Sequence, residues 1–354
     1  MGVRGHTMNA WSSVAAATAV GASTWWASRR IWRRPPPLSD AERERHTAPG
    51  GRSAGARIAR LQEGAPLTYW EFGDPGGVPL IALHGMGASG LMFSAHDGFF
   101  RARGLRCIAP NLIGGLADPP PSSRLVDLAA TVIRLADHLR IEKFQLIAIS
   151  YGTLVALGVM ALAPNRVERA GLFGPLLPGS WMAGHPEVAK GARPNDAALW
   201  STARRFPALL YPMTALFGLY PTATKIRSFV DAHLSAEERA MLQPGHPFHT
   251  YFATLLEECG QRGYWYMALG SELAWGREPG FSLEQVDEGG VPLFLETGDH
   301  DNVHLPAMAE YLHHHVRHSS VNLVAGQGRF GGMGLMLEAG INRFLATRAT
   351  HAPV

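Results

Sequence analysis

Ser150 lies in the stretch AISYG (148–152), where an apolar run, KFQLIAIS (143–150), passes directly into a helix-like one, YGTLVALGVMALA (151–163). Small residues on either side, Ala148 and Gly152, suit a sharp strand-to-helix turn. A serine held on such a turn can present its hydroxyl as a nucleophile if a base stands within reach. The plainer alternative for the same residue is a helix N-cap. Candidate imidazoles are His300 and His304, which flank Asp301, and His246 and His249 further upstream. A third stretch, LHGMGAS (83–89), places His84, Gly85 and Met86 just after another apolar run.

These groups need a scaffold, and the pattern of the body supplies one. Short apolar runs at 67–74, 78–85, 104–111, 143–150, 167–175, 291–299 and 320–326 read as strands. Helical patterns separate them, at 124–141, at 151–163 and in the closing segment LMLEAGINRFLATRA. Continuous apolar strands alternating with helices predict an α/β fold with a mostly parallel, doubly wound sheet. Between 176 and 286 the strand signal disappears and aromatic, Met-rich helical stretches replace it. This interrupts the alternation without ending it, as an inserted helical lid does. The expected organisation is 1–34 a hydrophobic segment with a basic flank, 35–64 a linker, 65–175 and 287–354 the two parts of the core, and 176–286 the lid.

The charge balance narrows the choice of partners. The chain carries a net charge of +3, yet residues 1–60 hold ten Arg against three acids, leaving a mildly acidic body. A nucleic-acid surface on the body is therefore not expected. Residues 10–28 lack any charged side chain and would span roughly 28 Å as a helix at about 1.5 Å per residue. With Trp25 and Trp26 in it and RRIWRR following, this segment fits a membrane anchor with the body on the cytoplasmic side. A cleaved targeting peptide and a plain disordered tail are the alternatives. Cys107 and Cys259 are too few for a disulfide framework. The run HHHVRH (313–318) falls on a helix pattern without a partner motif, so neither a metal nor a cofactor is expected.

Taken in order, LHGMGAS, AISYG and LETGDHD resemble the motifs of the α/β-hydrolase fold superfamily, in its lidded lipase/esterase/dehalogenase-like branch. The resemblance covers about residues 65–348. It implies that AISYG is the nucleophile elbow, with Ala148 in place of the first glycine and Ser150 as nucleophile. It also implies that the backbone amides of Met86 and Tyr151 form the oxyanion hole, that Asp301 is the acid, and that His84 and Gly85 support the oxyanion loop. A small apolar ester or lipid-like substrate follows from the same branch.

Two departures stand against this resemblance. The loop after the third strand, PNLIGGLAD (110–118), has Asn111 where an acid is usual and matches the pattern only at Gly114. More serious is GQGRF (326–330), where Arg329 occupies the place of the family's histidine. A guanidinium has no acceptor and cannot take a serine proton. Three accounts follow: another imidazole, His300 or His304, acts as base; the pocket binds a ligand without turnover; or Ser150 and Arg329 orient a substrate for other chemistry. The sequence points to a serine-hydrolase-like protein with an incomplete triad, and to a non-catalytic binding protein as its rival.

Overall fold

The computed structural model describes residues 34–330 and 337–347. The seven apolar runs all form strands: β2 (Leu67–Gly73), β3 (Val78–Leu83), β4 (Leu105–Pro110), β5 (Phe144–Ile149), β6 (Val167–Phe173), β7 (Leu293–Gly298) and β8 (Ser319–Val324). One further strand, β1 (Arg57–Ala59), pairs with β2. Together they make one eight-stranded sheet in the order β1-β2-β4-β3-β5-β6-β7-β8. From β4 to β8 every pairing is parallel, whereas β2 runs antiparallel to both of its neighbours.

Helix α1 (Asp40–Thr47) precedes the sheet. The crossovers carry α2 (Asp97–Ala102), α3 (Leu125–His138) and α4 (Tyr151–Leu162). Between β6 and β7 come eight helices: α5 (Gly179–Gly184), α6 (Pro194–Arg205), α7 (Leu210–Leu219), α8 (Thr222–Arg227), α9 (Ala236–Met241), α10 (Pro247–Cys259), α11 (Trp265–Ser271) and α12 (Leu283–Glu288). After β7 and β8 follow α13 (Pro306–His315) and α14 (Leu337–Ala346).

Alternation along the central strands builds two cores. Ile81, Leu83, Leu146 and Ala148 face a cluster that takes in α3, α4, α12 and α13. Their neighbours Leu80, Ala82, Ile147 and Ile149 face Phe99, Phe100 and Phe344 on the other side. Side chains of period two thus serve both faces, and all six residues of β5 are buried. Helix α4 is buried at ten consecutive positions, Tyr151 to Met160. It therefore shows no polar face, as expected for a helix enclosed on all sides.

Two boundaries differ from the sequence expectation. The segment read as a linker, 35–64, contains α1 and β1. A capping box of Ser39 with Glu42 starts α1. Arg43 is then buried, its Nη1 donating to the Leu116 carbonyl at 2.8 Å and its Nη2 lying 3.5 Å from Asp118. The Pro- and Gly-rich flanks concealed an element held by tertiary burial rather than by local pattern. At the far end, the expected lid limit of 286 falls inside α12, which packs on α4 and belongs with the core. Among the described residues no helix is long and apolar enough to cross a membrane. The uncharged stretch 10–28 lies outside them.

The closing helix is fastened to the sheet by charge. Glu296, on β7 and wholly buried, accepts from Arg343 Nε at 2.6 Å and Nη2 at 2.8 Å, and from Asn322 Nδ2 at 2.7 Å. Removing one partner of a buried carboxylate leaves a desolvated charge. Arg343→Met is expected to lower unfolding stability by roughly 2 kcal/mol, because Asn322 remains as a partner. Urea unfolding of variant and wild type checks this, and equal midpoints would exclude the tie.

Candidate active site

The strand-to-helix junction after β5 holds Ser150 at φ 51° and ψ −120°. A non-glycine residue in this region is strained and persists only where its surroundings over-determine it. Here the Ser150 amide donates to the Phe173 carbonyl at 2.9 Å, while its carbonyl accepts from the Thr153 amide at 2.9 Å. Thr153 Oγ1 reaches the same carbonyl at 2.5 Å and accepts from the Leu176 amide. A Cβ at Gly152 would lie 2.5 Å from the Leu83 carbonyl oxygen, so only glycine lets the first turn of α4 pass β3 so closely. The Ser150 side chain caps no helix amide, which disposes of the N-cap alternative.

The hydroxyl points instead at an imidazole. His304 Nε2 lies 2.8 Å from Ser150 Oγ, and its Nδ1 lies 2.8 Å from Asp301 Oδ2. An ionised Asp301 only accepts, so Nδ1 carries the proton and Nε2 is left to accept from serine. Asp301 Oδ1 accepts the amides of Val303 and His304 at 2.8 and 2.9 Å. Thr297 Oγ1 donates to the His304 carbonyl at 2.8 Å. Asp301 and His304 are both buried, and Ser150 is half-buried. Room for the ring comes from Gly174 at the end of β6 (φ 60°), where a Cβ would come within 2.8 Å of His304 Cγ.

Of the three accounts the sequence leaves open, the geometry matches the first: Arg329 holds the family histidine's place in the sequence, but the imidazole in contact with Ser150 is that of His304. Arg329 turns away from Ser150, its Nη2 donating to Asp231 and lying 3.4 Å from Asn302 Oδ1. Burial pushes its pKa below the usual guanidinium value, with Arg193 adding to the effect and Asp231 opposing it. Burial on its own would raise the Asp231 carboxyl, but Arg329 and hydrogen bonds from His233 and Asn302 hold it below its ordinary value. The amides flanking Arg329, those of Gly328 and Phe330, donate to the two oxygens of buried Glu238 at 2.9 and 2.7 Å. The other candidates stand elsewhere. His300 is exposed, and His246 caps α10 by accepting from the Phe248 amide.

The loop after β3 lies against the serine. A Cβ on Gly85 would be 3.2 Å from Ser150 Cβ, and Met86 follows it. Tyr151 opens α4, where the first-turn amides have no partner within the helix. His84 is wholly buried; its Nδ1 donates to the Gly85 carbonyl at 2.8 Å and its Nε2 accepts from the Leu112 amide at 2.9 Å. It ties this loop to the one after β4. Asn111 is likewise structural, accepting from the Gly90 amide and donating to Thr68 Oγ1. Sequence reasoning missed Asp231, Glu238, Asn302, Thr153 and Gly174, none of which stands in a motif. It named His304 without placing it, although the three-residue spacing from Asp301 was the available signal.

The chain belongs to the alpha/beta hydrolase fold family, whose model matches residues 78–333. Its fold is that of solved hydrolases. A hydrolase from Pseudomonas aeruginosa superposes with a TM-score of 0.60 at 17% identity, over 83% of this chain and 100% of that one. A carboxylesterase of Nitrososphaera gargenis gives 0.60 at 17%, over 82% and 98%. The enol-lactonase of Burkholderia xenovorans gives 0.58 at 18%, over 82% and 100%. At these identities the likeness is one of fold. A shorter match, 37% identical over 114 residues, joins 31% of this chain to 30% of the dihydrolipoyllysine-residue acetyltransferase component of the acetoin cleaving system of Pseudomonas putida. The chain thus spans less than a third of that relative.

His84 yields a pH prediction. Burial lowers its pKa to about 4, from an unperturbed value near 6.5. Between those limits the unfolded chain binds a proton that the folded chain refuses, so stability falls as pH drops from 6.5 to 4 and flattens below. The total from this residue is on the order of 3 kcal/mol. His84→Gln, which cannot titrate, is expected to show a shallower acid slope over that window in urea titrations. An unchanged slope would refute the assignment.

Proposed function

We propose that this protein is a serine hydrolase of small apolar carboxylic esters, lactones among them, working through Ser150, His304 and Asp301. The observation that carries the proposal is the single line of hydrogen bonds from Asp301 Oδ2 through His304 to Ser150 Oγ, each link 2.8 Å long. In the proposed cycle His304 Nε2 takes the serine proton as Oγ attacks the ester carbonyl. Asp301 keeps the ring in the Nδ1–H tautomer and stabilises the imidazolium that forms. The amides of Met86 and Tyr151 receive the developing oxyanion. His304 then returns its proton to the departing alcohol. Water, activated by the same imidazole, releases the acid and regenerates Ser150.

Several features support an apolar acyl or alcohol part. Met86 follows the oxyanion loop, and a Cβ added at Gly270 of α11 would touch both its methyl and Ile113 at 3.3 Å. Hydrocarbon from Met86, Ile113 and α11 thus packs together next to the Gly85 that lies against the serine. The ligand-gripping account of Arg329 finds less support, since that guanidinium is buried and reaches Asp231 and Asn302 through Nη2.

A fluorophosphonate probe is expected to label the wild type at Ser150, and Ser150→Ala to abolish labelling. On p-nitrophenyl esters His304→Ala is expected to lose on the order of 10⁴–10⁶ in kcat, as when a serine triad loses its base. Arg329→His is expected to give no gain. Should His304→Ala retain activity, or Arg329→His raise it strongly, the assignment of the base would fall.

A further inference from the structure

Helix α7 and the turn before it carry an apolar ridge that the fold leaves uncovered. Phe206 (62% exposed), Leu209 (50%), Met213 (43%), Leu216 (56%) and Leu219 (79%) recur at steps of three and four residues, and Tyr220 (53%) follows the last of them. Such spacing lines one face of a helix. The opposite face is committed inward, with Leu210 and Thr214 buried, Tyr211 against Trp265, and Phe217 edge-on to Tyr264 of the segment leading into α11. A contiguous ridge of this kind is unusual on a water-facing surface and marks an interaction site.

Charge says what covers it. The 27 residues from Arg204 to Val230 contain four basic side chains and no Asp or Glu. Arg204, Arg205 and Arg227 are exposed. The carboxylates in contact with or next to this segment are engaged: Glu272 accepts from Tyr211 and Arg277, Glu257 from Thr222, and Asp231 from Arg329. An apolar face with a basic border and no acids is complementary to anionic headgroups above hydrocarbon.

A second observation concerns the chain that lies outside the described residues. Thirty-three residues precede Arg34, including the uncharged 10–28. They join the fold beside this helix pair: Arg34 bonds Asp118, and the Pro36 carbonyl accepts from Arg262, two residues before the Tyr264 on which α7 packs. The described chain thus begins close to the element on which α7 packs. We propose that the exposed face of α7 docks on the surface of a bilayer carrying anionic lipid, bringing the helical insert over the site to the interface. The docking does not depend on Ser150 being a nucleophile.

The test uses the full chain with an environment-sensitive fluorophore on Leu216→Cys, Cys107 and Cys259 being buried. Leu219→Cys serves as a second probe position, and His138→Cys, at the exposed last residue of α3, as a control. Vesicles of phosphatidylcholine with phosphatidylglycerol are expected to shift the emission at 216 and 219 to the blue, and to leave 138 unchanged. Arg204→Glu with Arg205→Glu is expected to raise the lipid concentration for half the shift roughly tenfold or more. No shift with any vesicle would overturn the proposal. So would a shift that grows with protein concentration without lipid, which would mean a second copy covers the ridge. An equal response to pure phosphatidylcholine would overturn the anionic assignment.

Discussion

Ser150 holds a backbone conformation that costs of order 1–3 kcal/mol, and the cost must be met by what surrounds it. The Phe173 carbonyl at the end of β6 accepts from its amide, Thr153 donates to its carbonyl, and β3 leaves room beside it only because Gly152 has no side chain. The parallel order β3-β5-β6 is therefore the condition for the turn as much as its setting. A hydroxyl raised above the sheet in this way lies open to the loops at the carboxyl ends of neighbouring strands, and the loop after β7 supplies the rest.

That loop carries two functions often divided between two segments. Asp301 caps its own turn with Oδ1 and grips the imidazole three residues on with Oδ2, so the acid and the ring are positioned by one local fold. On the proposed mechanism the segment after β8 supplies no catalytic group. What occupies it is mechanical: Arg329 reaches Asp231, and its flanking amides reach Glu238, both carboxylates belonging to the helical insert. Phe330 adds an apolar contact against Phe248 and Phe252 of α10. Because Arg329 also lies against Asn302, next to Asp301, the insert and the acid-bearing loop share a buried ionic joint. Two Arg329 nitrogens, Nε and Nη1, lack hydrogen-bond partners, so the desolvation of this guanidinium is only partly offset.

How much of this could be seen in the sequence follows from which interactions are local. The seven long strands and the central helices were legible because burial on both faces leaves continuous apolar runs. The elbow was legible because the strained turn demands small residues at fixed offsets. Asp301 and His304 were both in view, but their relation was not. Hydrogen bonding from an acid to the imidazole three residues ahead depends on the loop's dihedral angles, which neither residue type reveals. Arg329 misled for the same reason. Its position in the order of motifs was clear, whereas its partner Asp231 lies 98 residues away in a region without strand or motif signals. α1 was hidden because a buried Arg43 looks in sequence like any other basic residue of a tail.

The same logic explains how the amino-terminal segment is joined to the insert. Asp118, in the loop after β4, is buried and gathers Arg34, Arg43, Arg262 and the Tyr266 hydroxyl around one carboxylate. Three cations on one buried acid come from three separate stretches of chain, so no two of them form a motif. Burying one charge with several partners is tolerable only if its oxygens are well satisfied, and the Leu38 amide adds a further donor to Oδ2. The consequence is architectural. The chain entering at Arg34 is anchored to α11 through Arg262 and Tyr266, and α11 in turn carries α7 on its other side.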